Sequence, residues 1–167
     1  MCQVSTTLYN AALLSGLTVT ERHSHSLPVS YVLPSFDAMV NSGSSDLAIR
    51  NDRAESVYIV SSSDGERITF RVYGKADGCI YKRVSKVTGY ISPPAEEELE
   101  NAELPFGETK IITHAKEGVV SEGYLEVYCG GARVKTINLS KDRYGAVRGV
   151  VEYGTKKEQT EPKTRIS

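Results

Sequence analysis

A chain of 167 residues with 40% hydrophobic content is long enough to bury one proper core, or two small ones, without needing disulfides. Twenty Lys and Arg stand against twenty-one Asp and Glu, so no long-range field favours nucleic acid or an anionic membrane surface, and nucleic acid is set aside as a partner. No stretch reaches the length of a membrane span, and the N-terminus lacks the basic and apolar regions of a targeting signal.

In chain order, "VSTTLYNAALLSG" predicts a helix. Val4, Leu8, Ala11, Ala12 and Ser15 recur at helical spacing, Ser5 or Thr6 offers a cap, and Gly16 a stop. The pattern starts almost at residue one, and the chain reads as cut on its N-terminal side. "LTVTERHSHS" holds a β-branched alternating stretch, and "VSYVL" between Pro28 and Pro34 reads as a further strand. "SVYIVSSSDGERITFRVYG" predicts a hairpin turning at Ser63-Asp64-Gly65-Glu66, with Ile68, Phe70 and Val72 on one face.

"SPPAEEELENAELPFGE", with its proline pair and acidic run, has the composition of a solvated connector around residues 92–107. "TKIITHA", "GYLEVYCGGARVKTINL" and "GAVRGVVEYGT" follow as short strands, with Gly130-Gly131 suited to a hairpin turn and His114 an ordinary strand residue. The polar end, residues 157–167, is expected to be a disordered tail. The expected fold class is α+β, mainly β: one N-terminal helix packed on antiparallel strands over residues 1–78, then a small elongated all-β module over 79–156 that includes the connector.

Chemistry concentrates at the start of the chain. Cys2 stands at a helix N-terminus, where free amides and the dipole favour a thiolate. A thiol nucleophile needs a base, and in "ERHSHS" an extended backbone would place Glu21, His23 and His25 on one face, with Arg22 and Ser24 on the other. A thiol, an imidazole and an orienting polar group are what thiol acyl transfer requires, with Gln3 or the first helical amides available to an oxyanion. Cys2, His23 and His25 could also hold zinc, but no fourth ligand is visible, and neither a metal nor a cofactor is expected. The three cysteines, odd in number and far apart, fit no disulfide framework; at least one thiol is free, and Cys79 and Cys129 read as small buried hydrophobes.

"CQVSTTLYNAALLSGL", "ERHSHSLPVSYV", "DAMV" and "DLAIRN" together resemble the core of the VanW family of bacterial envelope proteins, over residues 2 to about 75. Some VanW-domain proteins are cysteine L,D-transpeptidases that cross-link peptidoglycan stem peptides between diamino acid residues. The resemblance implies Cys2 as the nucleophile that takes the acyl group as a thioester, and His23 or His25 as the base, with the other shaping the site. Residues 84–156 resemble the G-five domain, an extracellular β module, through Pro105, Gly107, Gly118, the Tyr124–Tyr128 strand and Tyr153-Gly154-Thr155. That resemblance implies a cell-envelope location and aminosugar glycan as a partner, with exposed tyrosines such as Tyr124 or Tyr144 available to stack on sugar rings. Two readings follow: a thiol acyltransferase of peptidoglycan remodelling, or a non-catalytic wall-binding protein acting through its second module.

Overall fold

The computed structural model describes residues 1–156; the tail expected at 157–167 lies outside the described residues. The element order is α1 (Cys2–Leu14), β1 (Thr18–Glu21), β2 (Ala48–Arg50), β3 (Tyr58–Ser63), β4 (Ile68–Tyr73), β5 (Cys79–Ile91), β6 (Glu97–Pro105), β7 (Thr109–Thr113), β8 (Gly118–Cys129), β9 (Ala132–Tyr144) and β10 (Val150–Lys156). The protein is mainly β with one N-terminal helix. It packs as two compact units, Met1–Ile91 with Gly118–Gly145, and Ser92–Glu117 with the segment from Ala146. This division in space differs from a linear one at residue 78, because β5, β8 and β9 form a continuous sheet whose residues enter the core around α1.

In the first unit, α1 buries Ser5, Thr6, Tyr9, Ala12 and Leu13. The stripe differs from the one the apolar spacing predicts, and Val4 is exposed. The cause is polar: the Ser5 hydroxyl donates to the Ala38 carbonyl at 2.7 Å, and the Ala38 N–H donates to the Thr6 hydroxyl at 3.0 Å. With their hydrogen bonds made, both side chains can be buried. Neither caps the helix, whose N-cap is Met1 without a side-chain bond. Gly16 does stop it, at φ 69°, and a Cβ there would meet the Tyr81 ring at 2.3 Å.

β1 pairs antiparallel with β2 through a bulge between Val19 and Glu21. β3 and β4 form the expected hairpin, with the Asp64 carboxylate accepting from the Glu66 and Arg67 N–H groups and Ile68, Phe70 and Val72 on its more covered face. "VSYVL", expected as a strand, is bend and irregular backbone instead. The flanking Pro28 and Pro34 withhold two ladder donors.

β8 is the central strand of the sheet β5-β8-β9, and the β8–β9 connection turns at Gly130-Gly131. Cys79 lies directly opposite Cys129 in the β5–β8 register, Cα to Cα 4.3 Å, and the two form a disulfide. This corrects their reading as reduced buried residues: they stand 50 positions apart, and only strand register brings them together. The core joins Tyr9, Leu13, Phe36, Ala38 and Leu125, with Val19, Val32, Leu47, Tyr81, Ile137 and Leu139 packed against it.

In the second unit, β10 lies between β6, to which it is parallel, and β7, to which it is antiparallel. The acidic segment expected as a solvated connector is therefore largely strand β6, exposed along most of its length but hydrogen-bonded from Glu97 to Pro105. Its partner lies about fifty residues on, so no local pattern signals the pairing. His114 is exposed just beyond the end of β7.

Leu13 is 1% exposed at the centre of the first unit's core. Leu13→Ala is expected to lower unfolding free energy by about 2–5 kcal/mol, read as a fall in the urea midpoint at unchanged slope.

Candidate active site

The site is built on the first turn of α1 and on two irregular segments. Residues 36–40 run beside the helix, bound to it through Ala38 and through the Asn10 side-chain amide, which donates to the Phe36 carbonyl at 2.8 Å. That segment brings the Val40 carbonyl 3.7 Å from Cys2 Sγ and directs Asp37 inward, 0% exposed. The second segment follows β1. His25 donates its backbone N–H to Asp37 Oδ2 at 2.7 Å, and its Nδ1 lies 2.6 Å from the same oxygen. The imidazole also lies close enough to the Cys2 thiol for each to shift the other's titration.

Asp37 is the most densely bonded group in the unit. Arg22 donates from Nη2 to Asp37 Oδ1 at 2.6 Å and from Nε to the Asp37 carbonyl at 2.6 Å. The third Arg22 nitrogen, Nη1, reaches Asp142 Oδ1 at 2.6 Å, and the guanidinium lies over the Tyr9 ring at 5.7 Å. The Tyr144 hydroxyl donates to Asp37 Oδ1 at 2.5 Å and accepts the Ser35 N–H at 2.8 Å. Ser35 holds a left-handed backbone, φ 70°, rare for a residue with a Cβ and costing about 1–3 kcal/mol. Its hydroxyl bonds that of Ser121 at 2.7 Å. No buried side-chain polar atom among the described residues lacks a partner.

These contacts set the charges. Burial works against ionisation of Asp37, but the hydrogen bonds from Tyr144 and His25 and the nearby Arg22 charge outweigh it and hold the carboxyl below its usual range. Burial would lower His25, yet its hydrogen bond to Asp37 and the neighbouring Cys2 raise it above an ordinary imidazole. The Val40 backbone, then the nearby His25 imidazole, pull the Cys2 thiol below its ordinary value. Burial, then the bond to Asp37, push the Tyr144 phenol well up, so it remains a donor. The two shifts run toward each other and narrow the gap between thiol and imidazole.

Of the residues singled out from sequence, the structure brings Cys2 and His25 together. Glu21 and His23 lie apart from that contact and meet each other, Glu21 Oε1 to His23 Nε2 at 3.0 Å, both half exposed. The extended backbone that would align all three ends at Glu21, where β1 leaves its ladder; His23 makes only an isolated bridge to Met39. Glu21 does line an open cleft of about 710 Å³ with Met1, Val40, Asn41, Ser44 and Asp46. Sequence reasoning missed Asp37, Arg22, Asp142 and Tyr144. Asp37 lay within the quoted "DAMV", whereas Tyr144, expected as an exposed sugar-stacking residue, is 1% exposed. Tyr124 is half-buried, and its hydroxyl donates to Glu122.

A thiol, an imidazole and a buried carboxylate in line can generate a nucleophile at neutral pH. The chain that carries them matches two families: residues 1–73 match the model of VanW like proteins, and residues 83–156 that of the G5 domain. The chain thus resembles a VanW-like segment followed by a G5 domain, each match covering less than half of it, and both families are associated with the cell envelope. Among curated proteins it is similar to YoaR of Bacillus subtilis (strain 168), described as an uncharacterized protein, at 33% identity over 87 residues. The match covers 52% of this chain and 28% of YoaR's length. Among solved structures, an IgA1 protease G5 domain matches 47% of this chain and 90% of its own, at 23% identity and TM-score 0.32. The HP0197 G5 structure matches 46% and 95%, at 22% identity and TM-score 0.23. No helix among the described residues is long and apolar enough to cross a membrane.

Cys2 alkylation is expected to rise with pH through a midpoint below that of an ordinary thiol, about 8.5, and His25→Ala should move it upward. Stopped-flow iodoacetamide rates across pH measure this. Asp37 titrates below its unfolded value, so the stability it contributes is present above about pH 4 and lost as pH falls through its folded pKa. Asp37→Asn should accordingly flatten the acid limb of the stability–pH curve.

Proposed function

We propose that the protein is a cell-envelope thiol acyltransferase acting on peptidoglycan stem peptides, an L,D-transpeptidase with Cys2 as nucleophile, His25 as base and acid, and Asp37 as the group that orients His25. The observation that carries this reading is the hydrogen bond of His25 to a buried carboxylate, with the Cys2 thiol near the same imidazole. The Cys2 thiolate attacks a donor-peptide carbonyl, and the exposed Gln3 amide, within the same helical turn as Cys2, is available to the oxyanion that forms. The C–N bond breaks as the His25 imidazolium gives its proton to the leaving amine, which leaves a thioester on Cys2. An acceptor amine attacks the thioester and yields its proton to His25; the thiolate departs and a new amide remains. The Cys79–Cys129 disulfide is in keeping with an oxidising location outside the cytoplasm.

A second reading, binding without catalysis, is favoured by one feature of the second unit. A cleft of about 470 Å³ there presents Phe106, 77% exposed, and Tyr153 beside Glu98, Glu100 and Glu108. Aromatic faces with neighbouring carboxylate acceptors suit the apolar face and hydroxyls of a wall sugar.

Cys2→Ala in the full-length protein is expected to abolish formation of cross-linked muropeptides from purified stem peptides, measured by mass spectrometry. Unchanged cross-linking would remove the enzymatic reading. Phe106→Ala is expected to weaken retention on purified peptidoglycan while leaving Cys2 alkylation intact; full retention by that variant would remove the binding role of the cleft.

A further inference from the structure

We infer that strands β8 and β9, which lie in the G5-matched segment, complete the active site of the VanW-like segment, with Tyr144 as the residue that positions Asp37. The inference rests on the acyl-transfer reading for its catalytic consequence, but its geometry stands on three independent contacts.

The first is Tyr144 itself, whose hydroxyl bridges the Asp37 carboxylate and the Ser35 N–H, 2.5 and 2.8 Å away. It reaches both ends of the turn that delivers the carboxylate. The second is Ser121, whose hydroxyl pairs with that of Ser35 and fixes the side chain of the one non-glycine residue with positive φ among the described residues. The third is Gly123, where a Cβ would lie 2.9 Å from the Ser35 Cβ and 3.3 Å from the Ser35 carbonyl, so the turn rests directly on the strand backbone. A left-handed serine persists only where its surroundings over-determine it. Here those surroundings come from β8 and β9. Asp142, also on β9, fixes the far end of Arg22, whose other nitrogens hold Asp37.

Strand residues more than eighty positions downstream of Ser35 thus fix the carboxylate that orients His25. If Asp37 were displaced, the imidazolium would lose its counter-charge and the Cys2 thiolate its partner.

Tyr144→Phe keeps the ring and removes only the hydroxyl; Gly123→Ala inserts one methyl beneath Ser35; Ser121→Ala removes one hydroxyl contact and is the mildest of the three. In the whole chain, Tyr144→Phe and Gly123→Ala should each raise the midpoint of the Cys2 alkylation–pH curve by about one unit, an approximately tenfold loss of thiolate below the midpoint. Ser121→Ala should shift it in the same direction by less. Tyr124→Phe, on the same sheet but bonded to Glu122, is the matched control and should leave the curve unchanged. In acyl transfer, Tyr144→Phe should lower kcat with little change in KM. Alkylation curves identical to the parent's in folded Tyr144→Phe and Ser121→Ala, with circular dichroism as the fold check, would overturn the inference. Shifted curves in a protein that transfers no acyl group would uphold the positioning role while removing the proposed reaction.

Discussion

A carboxylate with no exposure to water governs the first unit. An unpaired carboxylate at the depth of Asp37 would take up a proton rather than stay charged. It ionises here because donors converge on it: Arg22, the Tyr144 hydroxyl, and two nitrogens of His25. Arg22 is shared with Asp142, so one guanidinium faces two carboxylates and the group retains an excess negative charge. That excess favours a proton on His25, and positive charge on His25 in turn favours the thiolate form of Cys2. The same arrangement is hard to dismantle in part. Removing one partner of a buried ionic cluster leaves the others uncompensated, a loss of about 3–5 kcal/mol, so structural and chemical demands fall on the same side chains.

Local signals in the sequence were legible where the interaction they report is local. The helix stop at Gly16, the Asp64-Gly65 turn, the alternation of β4 and the Gly130-Gly131 connection are all determined within a few residues, and each is found. Cys2 and a histidine of the "HSH" pair were legible as chemistry, because few residue types can act as nucleophile and base. What remained hidden depends on distant partners. The buried face of α1 includes two hydroxyl residues because the Ala38 peptide meets them. β6 reads as a solvated acidic run because its ladder partner, β10, lies about fifty residues on. Glu21 and His23 read as part of the site because period-two alternation was extended past the point where β1 ends.

Tyr144 illustrates the limit most sharply. Taken alone, a tyrosine near the end of a strand in an extracellular-type β module suits a sugar-facing role. Its burial is set by β9 register against β8, where Tyr144 stands opposite Val119, and by the turn at Ser35, separated from it by 109 residues. Neither is visible in its neighbours.

Sheet register is consequently a property of the site. Along β8, Ser121, Gly123, Leu125 and Val127 alternate onto one buried face; along β9, Asp142 and Tyr144 are buried in the same way. A shift of one residue in either strand would turn that whole set outward and replace it with Glu122, Tyr124 and Glu126, or with Lys141 and Arg143. Two devices oppose such a shift. The Cys79–Cys129 disulfide fixes the β5–β8 pairing at one end of the ladder. Toward the other end, the Asp142–Arg22 pair and the Tyr144 hydroxyl fix β9. A family boundary drawn between residues 73 and 83 therefore separates sequences that share one compact unit. The catalytic geometry proposed for the first segment is set by the strand register of the second.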